Sequence, residues 1–243
     1  MIRVVFEDAD LLVVEKPAGI PTQPQTSPNP LLREEGVKTL AELLSGQYPE
    51  IRNVGGNDWG AVHRLDVETS GLVVFARHQR SYDFLRKEFS THRVEKEYTA
   101  LVEGILREPG KIIWPIGPDP KTQKRVKVYK GIKEAVKNKA QEAVTIYAPL
   151  TRPSATLSPG SERGRNTLLK IKIKTGRRHQ IRAHLAALGH PIVGDRLYGK
   201  SVSSSPTPPL QLHATRLKFK HPQGNRWVEV AATPSFSSCA SFP

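Results

Sequence analysis

The 243-residue sequence predicts an α+β fold, a mixed and largely antiparallel sheet with flanking helices and loops. Short β-branched runs are joined by tight turns, the connection that suits antiparallel neighbours. Helical stripes fall between these runs without the regular β-α-β rhythm of a doubly wound sheet. Apolar residues make up 37% of the chain, an ordinary share for a folded protein able to cover a core.

From the N-terminus, residues 4–6 and 11–14 are apolar strands around the acidic turn Glu7-Asp8-Ala9-Asp10, and Lys16-Pro17-Ala18-Gly19 ends the second. Residues 21–30, rich in Pro, Thr, Ser and Asn, read as loop. Thr39 and Glu42 then form a capping-box pattern with Leu40, Leu43 and Leu44 behind it, which predicts a short helix ending near Gly46. Residues 72–76 are an unbroken apolar run suited to a buried strand, and Tyr82, Leu85 and Phe89 recur at helical spacing behind Ser81 as the expected cap. Residues 97–102 read as a strand closed by Gly104. Leu169, Ile171 and Ile173 alternate with Lys170, Lys172 and Lys174, a half-exposed strand whose lysine face meets water or phosphate. Over residues 179–188 the spacing is helical, with Ile181, Leu185 and Leu188 in one stripe and Gly189 as the stop signal. Arg178, His179 and Arg182 fall on the neighbouring face.

A single domain is expected over residues 1–230, with a basic insertion at about 119–142 and mobile Ser/Pro/Gly-rich loops at about 149–166 and 201–209. Residues 231–243 form a tail without a readable pattern. The 37 Lys and Arg residues outnumber 23 Asp and Glu, leaving a formal charge of +14 that favours a polyanionic partner, nucleic acid before others. Between Lys121 and Lys139 eight Lys or Arg residues are opposed by Glu134 alone, so Lys124, Arg125 and Lys127 are expected to track a nucleic-acid backbone. The first residues lack the pattern of a signal peptide and no apolar run is long enough to span a bilayer, so the expected location is the cytoplasm, with no membrane partner. The single cysteine, Cys239, excludes a disulfide framework and a Cys-based zinc site. With no phosphate-binding, dinucleotide-binding or HExxH motif, no nucleotide cofactor, flavin or metal is implied. A monomer is the default expectation.

The polar, charged stretch over residues 61–71 feeds straight into the buried strand at 72–76, where a loop pinned to a rigid element can present a catalytic carboxylate. On local spacing alone the preferred reading of Asp66 is a turn-capping aspartate bonded to the backbone of Thr69 or Ser70. Arg64, Arg182, Lys16, Arg177 and Arg178 read as solvated cations by the same standard. Tyr98 reads as a core tyrosine on a strand.

Five ordered blocks change that weighting. His63-Arg64-Leu65-Asp66-x-x-Thr69-Ser70-Gly71-Leu72 resembles the catalytic motif of the RluA-type pseudouridine synthases. Asp8-x-Asp10-Leu11-Leu12-Val13-Val14-x-Lys16-Pro17-x-Gly19 resembles the opening of that family, and Val94-x-Lys96-x-Tyr98-x-Ala100-Leu101-Val102-x-Gly104 its second block. Residues 175–185, Thr-Gly-Arg-Arg-His-Gln-Ile-Arg-x-His-Leu, followed by Gly189-His190-Pro191-Ile192-x-Gly194-Asp195-x-x-Tyr198-Gly199, are similar to its third. Leu212-His213-Ala214, Leu217 and His221-Pro222 match its ending. Arg178 stands where the family often has Ser or Thr, and Gln23 near a position that is often His.

The resemblance implies the pseudouridine synthase catalytic fold, without an S4-like module ahead of it, and an enzyme that isomerises uridines of ribosomal or transfer RNA. Such an enzyme breaks the bond from ribose C1′ to uracil N1, turns the base and joins C1′ to C5, after flipping the nucleotide out of its stack. Asp66 would be the essential carboxylate, attacking a carbon of the nucleotide or removing a ribose proton, and both routes need it ionised. Arg182 would pair with it, and Tyr98 would pack beside the base and assist loss of the C5 proton. Arg64 would fill the space left by the flipped base. His63, Lys16, Arg177, Arg178 and His179 would contact substrate. A catalytically idle RNA-binding or RNA-folding protein on the same fold is the competing reading. A hydrolase or nuclease is disfavoured, because the sequence lacks the clustered carboxylates such chemistry needs.

Overall fold

A computed structural model of the protein describes residues 2–24, 38–150, 166–199, 208–224 and 226–236. Most of the predicted loops at about 149–166 and 201–209, most of the 21–30 loop, and the end of the 231–243 tail with Cys239 lie outside the described residues. The chain divides into two compact units, Met1–Lys96 with His213–Thr233 and Glu97–Leu212 with Pro234–Pro243. Their architecture is α+β, with strands paired mostly antiparallel.

In the first unit, β1 (Arg3–Glu7), β2 (Leu11–Lys16) and β3 (Ser70–Ala76) form an antiparallel ladder. The acidic turn between β1 and β2 forms because Asp8 Oδ1 accepts the backbone N–H groups of Asp10 at 2.9 Å and Leu11 at 3.0 Å. α1 (Leu40–Leu44) carries both reciprocal bonds of the expected capping box, Glu42 N–H to Thr39 Oγ1 at 3.2 Å and Thr39 N–H to Glu42 Oε2 at 2.7 Å. α2 (Gln79–Ser90) starts before the expected position, because His78 rather than Ser81 is the cap: its Nδ1 accepts the Ser81 N–H at 3.3 Å. β10 (Leu212–Lys220) runs parallel to β3, with His213 opposite Ser70 and Ala214 opposite Gly71, and antiparallel to β11 (Trp227–Ala231). Gly71 makes that parallel approach feasible. Its φ is +117°, and a Cβ there would lie 2.4 Å from the backbone nitrogen of Ala214. Leu11, Val13, Leu72, Val74, Leu85, Phe89, Leu217, Phe219, Val228 and Val230 form one buried core cluster behind these strands.

The second unit contains β4 (Glu95–Glu103), β5 (Gly110–Ile112), β6 (Ile116–Asp119), β7 (Thr122–Val128), β8 (Thr145–Pro149) and β9 (Asn166–Ile173). Its main sheet has the order β4-β9-β8-β5, and β6 with β7 makes a separate hairpin. β9 alternates as its pattern predicts, Leu169, Ile171 and Ile173 inward and Lys170 and Lys172 outward. That lysine face meets a carboxylate as well as water: Glu97 lies 2.8 Å from Lys170 Nζ and 3.1 Å from Lys172 Nζ. The basic insertion is ordered as the β6–β7 hairpin followed by α3 (Ile132–Lys137). α4 (Gln180–Leu188) packs on β7 and β8 and stops at Gly189, whose φ of 96° is the left-handed cap its sequence position signals. No helix among the described residues is long and apolar enough to cross a membrane.

Candidate functional site

Asp66 lies half-buried in the loop that enters β3, and the residues on either side of it are clamped. Thr22 Oγ1 bridges the Leu65 backbone, donating to its carbonyl and accepting its N–H, each at 3.2 Å. The Val67 carbonyl accepts from the Gly19 N–H at 2.8 Å and from Lys16 Nζ at 3.0 Å. A turn closes behind them through the Thr69 N–H to the Asp66 carbonyl at 3.1 Å. The backbone around the carboxylate is therefore fixed before any ligand arrives, the condition a catalytic group requires.

Lys16 is fully enclosed, which corrects the expectation that it contacts substrate. Its ammonium spends its donors on the carbonyls of Pro17 at 2.9 Å, Ile20 at 2.8 Å and Val67 at 3.0 Å. Burial pulls its pKa down to about 8, while the negative charge of Asp66 acts in the opposite direction. It is thus a tether with a positive end near Asp66. His63 is likewise engaged inside the fold, since Nε2 accepts the Val74 N–H at 3.1 Å and the ring stacks on Phe89 with centroids 4.4 Å apart. Burial, then the charges of Lys96 and Arg86, push its pKa down to about 3, so the ring is neutral. Arg64 is exposed beside them.

In the second unit, Arg182 is 2% exposed and binds Asp195 in a fork, Nε to Oδ2 and Nη2 to Oδ1, both at 2.8 Å. Burial opposes the Asp195 charge, but the hydrogen bonds from Arg182 and from the Leu197 and Tyr198 N–H groups hold its carboxyl below the usual range. The same guanidinium lies 5.6 Å from the Tyr198 ring centroid. Sequence alone assigns no role to Asp195 or Tyr198, although both stand in the block Gly194-Asp195-x-x-Tyr198-Gly199. The burial of Arg182 is what calls for the Asp195 carboxylate, and that burial shows only in the folded chain. Tyr98 is buried on β4, 8% exposed.

The basic residues of the insertion and of the segment before α4 converge. An open cleft of about 560 Å³ is lined by Arg125 and Thr122 of β7, Lys139, Gln141, Arg177 and Arg178, among others. Arg178 Nη2 donates to the Lys124 carbonyl at 2.7 Å, Arg177 Nε to the Glu142 carbonyl at 3.1 Å, and Tyr198 Oη accepts the Val126 N–H at 2.8 Å. His179, in the left-handed region at φ 51°, meets Tyr198 Oη at 3.1 Å. Arg125 is held by Asp119 at 2.8 Å and Lys127 by Glu134 at 2.7 Å, so two of the expected phosphate ligands already share carboxylates. Asp8, Asp10 and His221 also come together, their ligand atoms within 4.8 Å of one another. Hydrogen-bond donors occupy them: His221 and Arg226 bind Asp8 Oδ2 at 2.7 and 3.0 Å, and Gln223 binds Asp10 Oδ1 at 3.0 Å. This network is a latch on the β1–β2 turn.

The chain matches the RNA pseudouridylate synthase family over residues 10–187. An uncharacterized RNA pseudouridine synthase of Aquifex aeolicus is 36% identical over 252 residues, covering 99% of this chain and 72% of that protein. The dual-specificity RNA pseudouridine synthase RluA of Pasteurella multocida is 31% identical over 235 residues, 96% of this chain and 93% of that one. Among solved structures, human RNA pseudouridylate synthase domain containing 1 superposes with a TM-score of 0.73 at 25% identity, covering 97% of this chain and 84% of that one.

Proposed function

Because the chain belongs to the RNA pseudouridylate synthase family, we propose that it isomerises uridine to pseudouridine within ribosomal or transfer RNA. The observation that carries this reading is the clamped loop holding Asp66 within the sequence His63-Arg64-Leu65-Asp66-x-x-Thr69-Ser70-Gly71-Leu72. Asp66 is the essential carboxylate of this proposal, with Tyr98 and Arg182 acting in the same reaction. The C1′–N1 bond breaks, the base turns, C1′ joins C5, the C5 proton departs and N1 gains one. No redox equivalent or energy input enters that balance, and the proposal needs no cofactor. The cations of the cleft, Arg125, Arg177 and Arg178, supply charge for phosphates of the bound RNA, with Lys124 and Lys127 beside them. Arg64 fills the place of the extruded base. The proposed enzyme works as a monomer in the cytoplasm.

Incubating the protein with total RNA and mapping carbodiimide adducts tests the reading. Adducts at new, discrete uridines support it, and an adduct map identical to that of untreated RNA overturns it.

A further inference from the structure

The β10–β11 ribbon alternates as a half-buried ribbon should, with Leu217, Phe219, Val228 and Val230 inward and Lys218, Lys220, Trp227 and Glu229 outward. Trp227 breaks the polar rule of that outer face: an indole stands among charges with 52% of its surface exposed. The register sets Lys220 opposite Trp227 and Lys218 opposite Glu229. Lys218 Nζ lies 5.5 Å and Lys220 Nζ 5.8 Å from the indole centroid. Both ammonium groups therefore hold the ring in place while keeping positive charge at its border.

From this arrangement we propose that the outer face of the ribbon is a second RNA contact, where Trp227 stacks an unpaired base and Lys218 and Lys220 bind the flanking phosphates. The inference rests on the proposed function for its ligand. Chemistry favours single-stranded RNA over a protein partner, because among the described residues the indole is bordered by two lysines, of which Lys218 also lies 3.8 Å from the Glu229 carboxylate, rather than by further apolar side chains. A ring that stacks any base gives affinity without sequence choice, so the platform holds substrate outside the target nucleotide.

The test uses the full chain and a fluorescein-labelled oligouridylate, with anisotropy as the readout. Trp227→Ala is expected to weaken binding roughly 5- to 150-fold, the usual range for one lost base–aromatic stack. Trp227→Phe keeps a ring and is expected to restore most of it. Lys218→Gln with Lys220→Gln is expected to lower the slope of log affinity against log salt by about 1.4, at roughly 0.7 per cation for a single strand. The ring is outside the core, so Trp227→Ala should melt as the wild type does. Wild-type oligouridylate affinity in Trp227→Ala overturns the proposal. So does a dimer that Trp227→Ala dissolves while oligonucleotide binding stays, which would assign the face to a second copy. Pseudouridine formation is measured separately on total RNA: its absence with the Trp227 effect intact sinks the proposed function alone, and its presence with no Trp227 effect sinks the platform alone.

Discussion

Replacing Lys16 by Met keeps the length of the side chain and removes its ammonium. The carbonyls of Pro17 and Ile20 lose that donor, whereas the Val67 carbonyl keeps the Gly19 N–H. Pro17 is exposed and Ile20 half-buried, so water reaches these acceptors and their loss costs less than the roughly 2–6 kcal/mol of two fully buried groups. Against this stands the cost of burying the charge: a pKa drawn from 10.5 to about 8 corresponds to about 3 kcal/mol at neutral pH. The difference at pH 7, wild type minus variant, is therefore small, between about −3 and +3 kcal/mol. The pH dependence is more telling. Below pH 8 lysine is protonated in both states; between about 8 and 10.5 the unfolded chain binds the proton that the native state has released, so this group's contribution to stability rises with pH. Lys16→Met lacks that rise, and the difference, wild type minus variant, is expected to rise by up to about 3 kcal/mol across the window. Urea unfolding at pH 7.5, 9 and 10.5, extrapolated to water, measures it. A difference that stays level or falls refutes the reasoning. Because the lost tether holds Val67, next to Asp66, pseudouridine formation by the folded variant is expected to drop roughly 100-fold, the scale of about a 1 Å misplacement. Wild-type turnover in Lys16→Met would refute the tether.

Asp195→Ala removes the carboxylate that grips the buried Arg182 in a fork and is expected to cost roughly 3–5 kcal/mol, seen as a fall in Tm of about 10 °C; a fall under about 2 °C contradicts it. Gly71→Ala forces a methyl against the Ala214 backbone at 2.4 Å and is expected to lose at least about 2 kcal/mol in urea unfolding, with unaltered stability as the opposing result. Lys124→Gln, Arg125→Gln and Lys127→Gln combined are expected to weaken RNA binding and flatten its salt dependence, and unchanged affinity across a salt titration counts against the cleft.

Local signals are legible in the sequence wherever one residue's chemistry decides the backbone. The acidic β1–β2 turn, the Thr39–Glu42 capping box and the Gly189 stop all form through bonds within a few residues. The alternation of β9 is legible because one of its faces is core. The β6–β7 hairpin is not, since exposed Gln123, Lys124 and Arg125 fill its centre and leave little period to see. Lys16 and Arg182 show the limit at the site. Each looks like a surface cation in one dimension, and only folding reveals the three carbonyls around one and the carboxylate fork around the other. Asp66 is identifiable by family resemblance, whereas the clamps on Leu65 and Val67 come from Thr22, Gly19 and Lys16, which no local pattern links to it.

Joining C1′ to C5 expels the hydrogen at C5, so tritium released from RNA labelled with [5-³H]uridine reports the reaction directly. Wild-type protein is expected to release tritium to water and Asp66→Ala to stay at the background of protein-free RNA, while melting as the wild type does. Release by Asp66→Ala within about tenfold of wild type would contradict the account, because an essential group is worth more than the roughly 1.4 kcal/mol that tenfold represents.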